Sequence, residues 1–201
     1  MYKTRALVYI GVFGALWGAV ETTIGSVLHT LNVPLSGLLL TGIGIAVALI
    51  GRLFVPQRGS VLAIGVVAAF LKMFSIGGIV ILPVLGILME SLLAELILSL
   101  RARPGRGIFA AAGGLATFWP FVHPFLTQGL LAGSGIFTIY TRTIQNGARL
   151  LGLPDTAVLA ILAALILLHF LVGAVAGLIA WDAGRVIARR LRVPLEPAKP
   201  A

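Results

Sequence analysis

The chain has 201 residues, 59% of them hydrophobic and 10% charged, and a net charge of +9. A water-soluble domain of this length cannot hide that much apolar surface in one core. Nucleic-acid binding is not indicated either, because the basic residues separate apolar runs instead of lining one face. The absence of cysteine excludes disulfides, cysteine-ligated zinc, iron–sulfur clusters and thiol catalysis.

The apolar runs approach the roughly 20 residues that a helix needs to cross a bilayer. Their glycines recur at helical rather than alternating spacing, which favours helices over a membrane β-barrel. The sequence therefore predicts an all-α integral membrane protein, a compact bundle of six transmembrane helices over residues 1–193. A Pro-rich, disordered cytoplasmic tail is expected at 194–201.

The first span is expected at Ala6–Thr30. It carries Gly11, Gly14, Ala15, Gly18, Ala19 and Gly25, whose spacings of three and four place most of them on one face. Such small-xxx-small surfaces let helices approach closely, inside a bundle or against an external partner. Glu21 lies toward the same face; an ionised carboxylate is costly in lipid, so it should face the bundle interior, a partner or a water-filled cavity. His29, near the outer end, reads as an interfacial residue.

The second span is expected at Ser36–Phe54 and the third at Ser60–Ile76, followed by a turn at Gly77-Gly78. Lys72, in the outer half of the third, either snorkels to the surface or serves the interior. The fourth span, Ile79–Leu100, holds Glu90 near its middle and Glu95 five residues on. Five residues turn a helix by roughly 140°, so these carboxylates do not share a face and do not form a catalytic pair. Glu95 is expected to meet the inner basic belt, and Glu90 is the better interior candidate.

The fifth span, Gly107–Leu131, contains Phe118-Trp119-Pro120-Phe121-Val122-His123-Pro124, then Thr127 and Gln128. Two prolines free backbone carbonyls, which membrane helices tolerate where protein or a cavity compensates. Trp119 and His123 are four apart and share a face, which suits a flat heteroaromatic ligand or marks a kinked helix with an interfacial tryptophan. The long stretch from Ala132 to Asp155 reads as an amphipathic outer segment. Ile136, Phe137, Tyr140, Ile144 and Leu151 form its apolar stripe, and Thr141, Arg142, Gln145, Asn146 and Arg149 its polar face. The sixth span is expected at Ala157–Trp181, where His169 reads as a satisfied interhelical residue.

Of the 15 Lys and Arg residues, all but Lys72, Arg142 and Arg149 fall on one side when the N-terminus is placed inside. The positive-inside rule then puts both termini in the cytoplasm. By depth, Glu21, Lys72, Trp119, His123 and Gln128 share the outer half, and the segment bearing Tyr140, Arg142 and Asn146 could cover them. This is a pocket open outward and closed below rather than a continuous pore. No Gly-x-Ser-x-Gly elbow, His-Glu-x-x-His pair or phosphate-binding loop occurs, and neither a catalytic residue, a metal site nor a cofactor is expected. Without a nucleotide-binding domain in the chain, active transport would draw on ions or on another subunit.

At the level of architecture the chain resembles the substrate-binding S components of energy-coupling factor (ECF) transporters. These are small, basic, six-helix proteins of prokaryotic cytoplasmic membranes. The residues that carry the likeness in the first span are Gly11-Val12-Phe13-Gly14-Ala15-Leu16-Trp17-Gly18-Ala19, a glycine-rich version of the small-residue face that in the family meets a transmembrane coupling subunit. The resemblance implies capture of a vitamin or related small nutrient from outside. Uptake would be powered by a separate ATPase pair, and the chain itself would not be an enzyme. The rival readings are an integral membrane enzyme or maturation factor using Glu90, His123 or His169, and a purely structural membrane subunit.

Overall fold

The computed structural model describes residues 2–31, 33–74, 81–125, 133 and 135–193. Gln128, the Gly77-Gly78 turn, the tail at 194–201 and the side chain of His29 lie outside the described residues.

The described chain is all-α, in the order α1 (Tyr2–Thr30), α2 (Ser36–Phe54), α3 (Ser60–Lys72), α4 (Ile81–Ser99), α5 (Arg106–Ala116), α6 (Trp119–Pro124), α7 (Ile136–Leu151) and α8 (Val158–Arg190). Among the described residues, four stretches are long and apolar enough to cross a membrane: Thr4–Leu28, Ser36–Phe54, Ile81–Ser99 and Val158–Arg190. α3 is apolar but shorter, at 13 residues. The fifth expected span divides into α5 and α6. Thr117 and Phe118 between them keep right-handed helical dihedrals, so the chain kinks rather than reverses. The cause is Pro120, which has no N–H to donate to the carbonyl of Ala116. Thr117 N keeps the ordinary helical bond to Gly113 O at 3.1 Å, whereas Phe118 N tightens onto Leu115 O, three residues back, at 3.1 Å.

The core is built where small residues allow close approach. α5 and α8 meet backbone to backbone: a Cβ on Gly113 would strike the Gly173 carbonyl, and one on Gly177 would strike the Phe109 carbonyl. The Thr117 hydroxyl fills the adjacent gap and donates to the His169 carbonyl at 2.7 Å. Trp17 of α1, fully buried, lies flat against the missing side chain of Gly44 in α2. Ile45, Leu49, Ile64, Ile87 and Phe109 complete the central apolar cluster.

α1 carries two distinct stripes. Gly14, Trp17, Gly18, Glu21 and Gly25 point inward. A Cβ on Gly14 would come 2.5 Å from Val67 Cβ, and one on Gly18 would come 2.9 Å from Leu71 Cβ, so both glycines are occupied by packing against α3. Ala15 and Ala19 are exposed, and a Cβ on Gly11 would meet nothing within 4 Å. The small face read as one surface is thus divided between an internal seam and an outward one.

Basic residues gather at one end of the bundle. Arg106 of α5 forms a two-bond pair with Asp182 of α8, at 3.2 and 2.8 Å. Tyr9 of α1 rests on Phe54 at the end of α2, with ring centroids 5.2 Å apart, and Gly184 of α8 lies against Leu53.

Gly113→Ala and Gly177→Ala should each lower the stability of the purified protein by about 1–3 kcal/mol, the usual cost of overpacking a tight contact. Gly11→Ala should leave it unchanged. Thermal unfolding in detergent, read by the loss of the monodisperse chromatographic peak, checks all three.

Candidate functional site

Inside this apolar frame a polar cluster forms from residues of separate helices. Glu21 of α1 and Lys72 of α3 are both buried, at 7% and 9% exposure. Lys72 Nζ lies 3.7 Å from Glu21 Oε2 and donates to the Glu21 backbone carbonyl at 2.8 Å. Lys72 therefore does not snorkel; it is turned onto α1. Its head lies beside Gly25 and Leu40: a Cβ on Gly25 would sit at ordinary contact distance, 3.7 Å from Nζ and 3.5 Å from Leu40 Cδ1.

Glu90 of α4 is buried at 6% exposure and accepts a hydrogen bond of 2.8 Å from the Thr41 hydroxyl of α2. Gly86, one turn before Glu90, opens the space beside it. A Cβ there would stand 3.7 Å from Trp119 Nε1 and 3.8 Å from Glu90 Oε1, both ordinary contact distances, so the indole N–H and the carboxyl border the same space beside Gly86. Trp119 Nε1 is buried and has no hydrogen-bond partner among the described residues. A buried N–H left unpaired costs on the order of 1–3 kcal/mol, and a ligand atom or water with a free lone pair would recover it. Trp119 and His123 stand edge to face with ring centroids 6.0 Å apart, as expected for side chains four apart on one helix.

The structure therefore pairs Glu21 with Lys72, seats Glu90 on Thr41, and places Trp119, with His123 beside it, against the same glycine as Glu90. It does not bring Arg142 or Asn146 to them. Arg142 is exposed on α7, and Asn146, also exposed, accepts a hydrogen bond from Arg149 at 3.1 Å. The apolar stripe of α7 also differs from expectation. Ile144 is buried, but the other buried positions are Ile139, Gly147 and Ala148, while Ile136, Phe137 and Tyr140 are exposed. His169 is buried; its Nδ1 pairs with Leu165 O at 2.7 Å within α8, and its ring meets Phe121 at 5.5 Å. Its bond is thus within its own helix rather than between helices. Among the described residues no group of three or more His, Cys, Asp or Glu could hold a metal ion.

Thr41 gave no signal in the sequence beyond being a hydroxyl in an apolar run, because its partner lies 49 residues away on another helix. Glu95 behaves as expected. It pairs with Arg52 at 3.3 Å, accepts from Val61 N at 2.9 Å and from Ser99 at 3.0 Å, and so fastens the α2–α3 turn to α4 at the basic end. Arg52 also reaches the Gln57 carbonyl and the Ser60 hydroxyl.

Compared with known proteins, the chain matches no family model, no curated protein and no solved structure.

Removing one member of the buried Arg52–Glu95 pair leaves the other charge uncompensated. Arg52→Met should cost about 3–5 kcal/mol of stability, and the double variant Arg52→Met with Glu95→Gln should recover a large part of it. Detergent-denaturation midpoints of the two variants and wild type measure this.

Proposed function

We propose that this protein is a membrane-embedded substrate-capture subunit of an ECF-type importer, taking a vitamin or related small, polar or heteroaromatic nutrient from outside the cell. The observation that carries the reading is the burial of two polar pairs, Glu21 with Lys72 and Thr41 with Glu90, and of the Trp119 indole N–H, drawn from five helices of an otherwise apolar bundle. Polar and charged groups at membrane depth are expensive and mark substrate or ion pathways. An aromatic face beside a donor N–H and a carboxyl is the lining that a planar polar ligand needs.

The topology in this reading is the one the basic residues set: six spans, with α3 and the kinked α5–α6 pair crossing beside the four longer helices, both termini cytoplasmic, and the cluster in the outer half. The chain does no chemistry in this scheme and uses no cofactor. A transmembrane coupling subunit and an ATPase pair, both separate chains, would power uptake. The exposed Ala15 and Ala19, with half-buried Gly11, offer that coupling subunit a smooth surface, whereas Gly14 and Gly18 belong to the internal seam with α3.

Native mass spectrometry of gently purified protein tests capture directly. The wild type should carry a small molecule lost on mild activation, and Trp119→Ala should weaken its retention by about 1–3 kcal/mol, the scale of one aromatic stacking contact. Equal retention by Trp119→Ala and His123→Ala would place the pocket elsewhere. Ala15→Leu with Ala19→Leu should keep the ligand yet lose co-purifying ATPase subunits from native membranes; undiminished co-purification would remove α1 from the docking surface.

A further inference from the structure

α7 is the most sharply two-sided helix of the chain. Thr141, Arg142, Gln145 and Arg149 fall on one side, and it contains no Asp or Glu. Its buried residues, Ile144 and Ala148, join Ile161 and Leu165 of α8 in a small second core, with Phe121 of α6 against it. Gly147 makes the contact close: a Cβ there would stand 2.5 Å from Ile161 Cγ2 and 3.0 Å from Leu165 Cδ1. Both anchors lie in the first turns of α8, which begins at Val158. Seven residues of helix are about 10 Å long, so α7 is held within that distance of the end of α8.

An amphipathic helix lying on a bilayer sinks its apolar face by roughly 5–10 Å. α8 cannot cover the whole apolar arc. Phe137 remains 85% exposed and Ile136 67%, with Tyr140 a turn further on; Leu150 toward the other end of α7 is also exposed, and Leu159 of α8 is 83% exposed. Such an arc would be unfavourable in water but suits the boundary between headgroups and acyl chains. Tyrosine is enriched at that level. Two arginines with no acid on the helix complement phosphate oxygens, to which guanidinium groups bind in paired fashion.

We propose that α7 is an interfacial helix on the phospholipid surface, with Ile136, Phe137 and Tyr140 in the headgroup–acyl boundary and Arg142 and Arg149 among the lipid phosphates. α7 then ties the membrane surface, through Phe121, to the helix that bears Trp119 and His123. Arg142 acts on lipid here and not on the captured solute.

The chain has no cysteine, so single cysteines can be placed without a further background change. Phe137→Cys, Arg142→Cys and Gln145→Cys would each be nitroxide-labelled in the full chain, reconstituted into phosphatidylcholine–phosphatidylglycerol vesicles. The label at 137 should be relaxed several-fold more by oxygen, which concentrates in lipid, than by a water-soluble nickel chelate. Labels at 142 and 145 should show the reverse. Relaxation of the 137 label mainly by nickel would put the helix in water, and shielding from both would mean that protein, such as a second copy, covers it; either overturns the proposal. Adding Arg142→Gln and Arg149→Gln to Phe137→Cys should shift its label toward the chelate, and an unchanged ratio would overturn the assignment of the arginines to phosphate.

Discussion

The cost of holding charge away from water governs this structure. Three of the six acidic residues, Glu21, Glu90 and Glu95, are buried within the helices, together with Lys72 and Arg52. Each has a named partner on another helix: Lys72 for Glu21, Thr41 for Glu90, Arg52 for Glu95. In an apolar surround such partners cannot be exchanged for solvent, so each pair fixes the rotation and depth of two helices at once. α1 is thereby set against α3, and α2 against α4. The pairs lie at two levels, one at the basic end with the α2–α3 turn and one deeper along the helices.

Pairs of this kind form only if backbones come near enough, and glycine supplies the approach. Gly113, Gly173 and Gly177 bring α5 onto α8 so tightly that the Thr117 hydroxyl reaches the His169 carbonyl. Gly14 and Gly18 seat α1 on α3, and the same seam delivers Glu21 to Lys72 one to two turns further along. Gly86 does the opposite: it leaves space for a side-chain atom, and Trp119 Nε1 and Glu90 Oε1 both border that space. Small residues thus both close the frame and leave space beside its buried polar groups.

The sequence made the apolar helices legible, because long runs and clustered basic residues are properties of the chain itself. The two separate roles of Glu90 and Glu95 were also legible, since a helical turn of known angle divides them. The break at Thr117–Phe118 was legible as a weakness, through Pro120, but not as two helices. Which face of α1 looks inward was not readable, because small residues line both; only Val67 and Leu71 of α3 decide that Gly14 and Gly18 are internal. The same holds for Thr41, whose importance comes wholly from Glu90, and for Arg142, whose place depends on how α7 sits against Ile161 and Leu165.

The central claim is that Glu21 and Lys72 act as one buried unit rather than as two independent polar residues. A double-mutant cycle on unfolding stability in detergent, using Glu21→Gln, Lys72→Met and both together, measures that coupling directly. The account predicts an interaction energy of at least about 1 kcal/mol, within the 0.5–3 kcal/mol range of contacting pairs, with the double variant less destabilised than the sum of the singles. Additivity to within roughly 0.3–0.5 kcal/mol, the behaviour of distant independent sites, would contradict it.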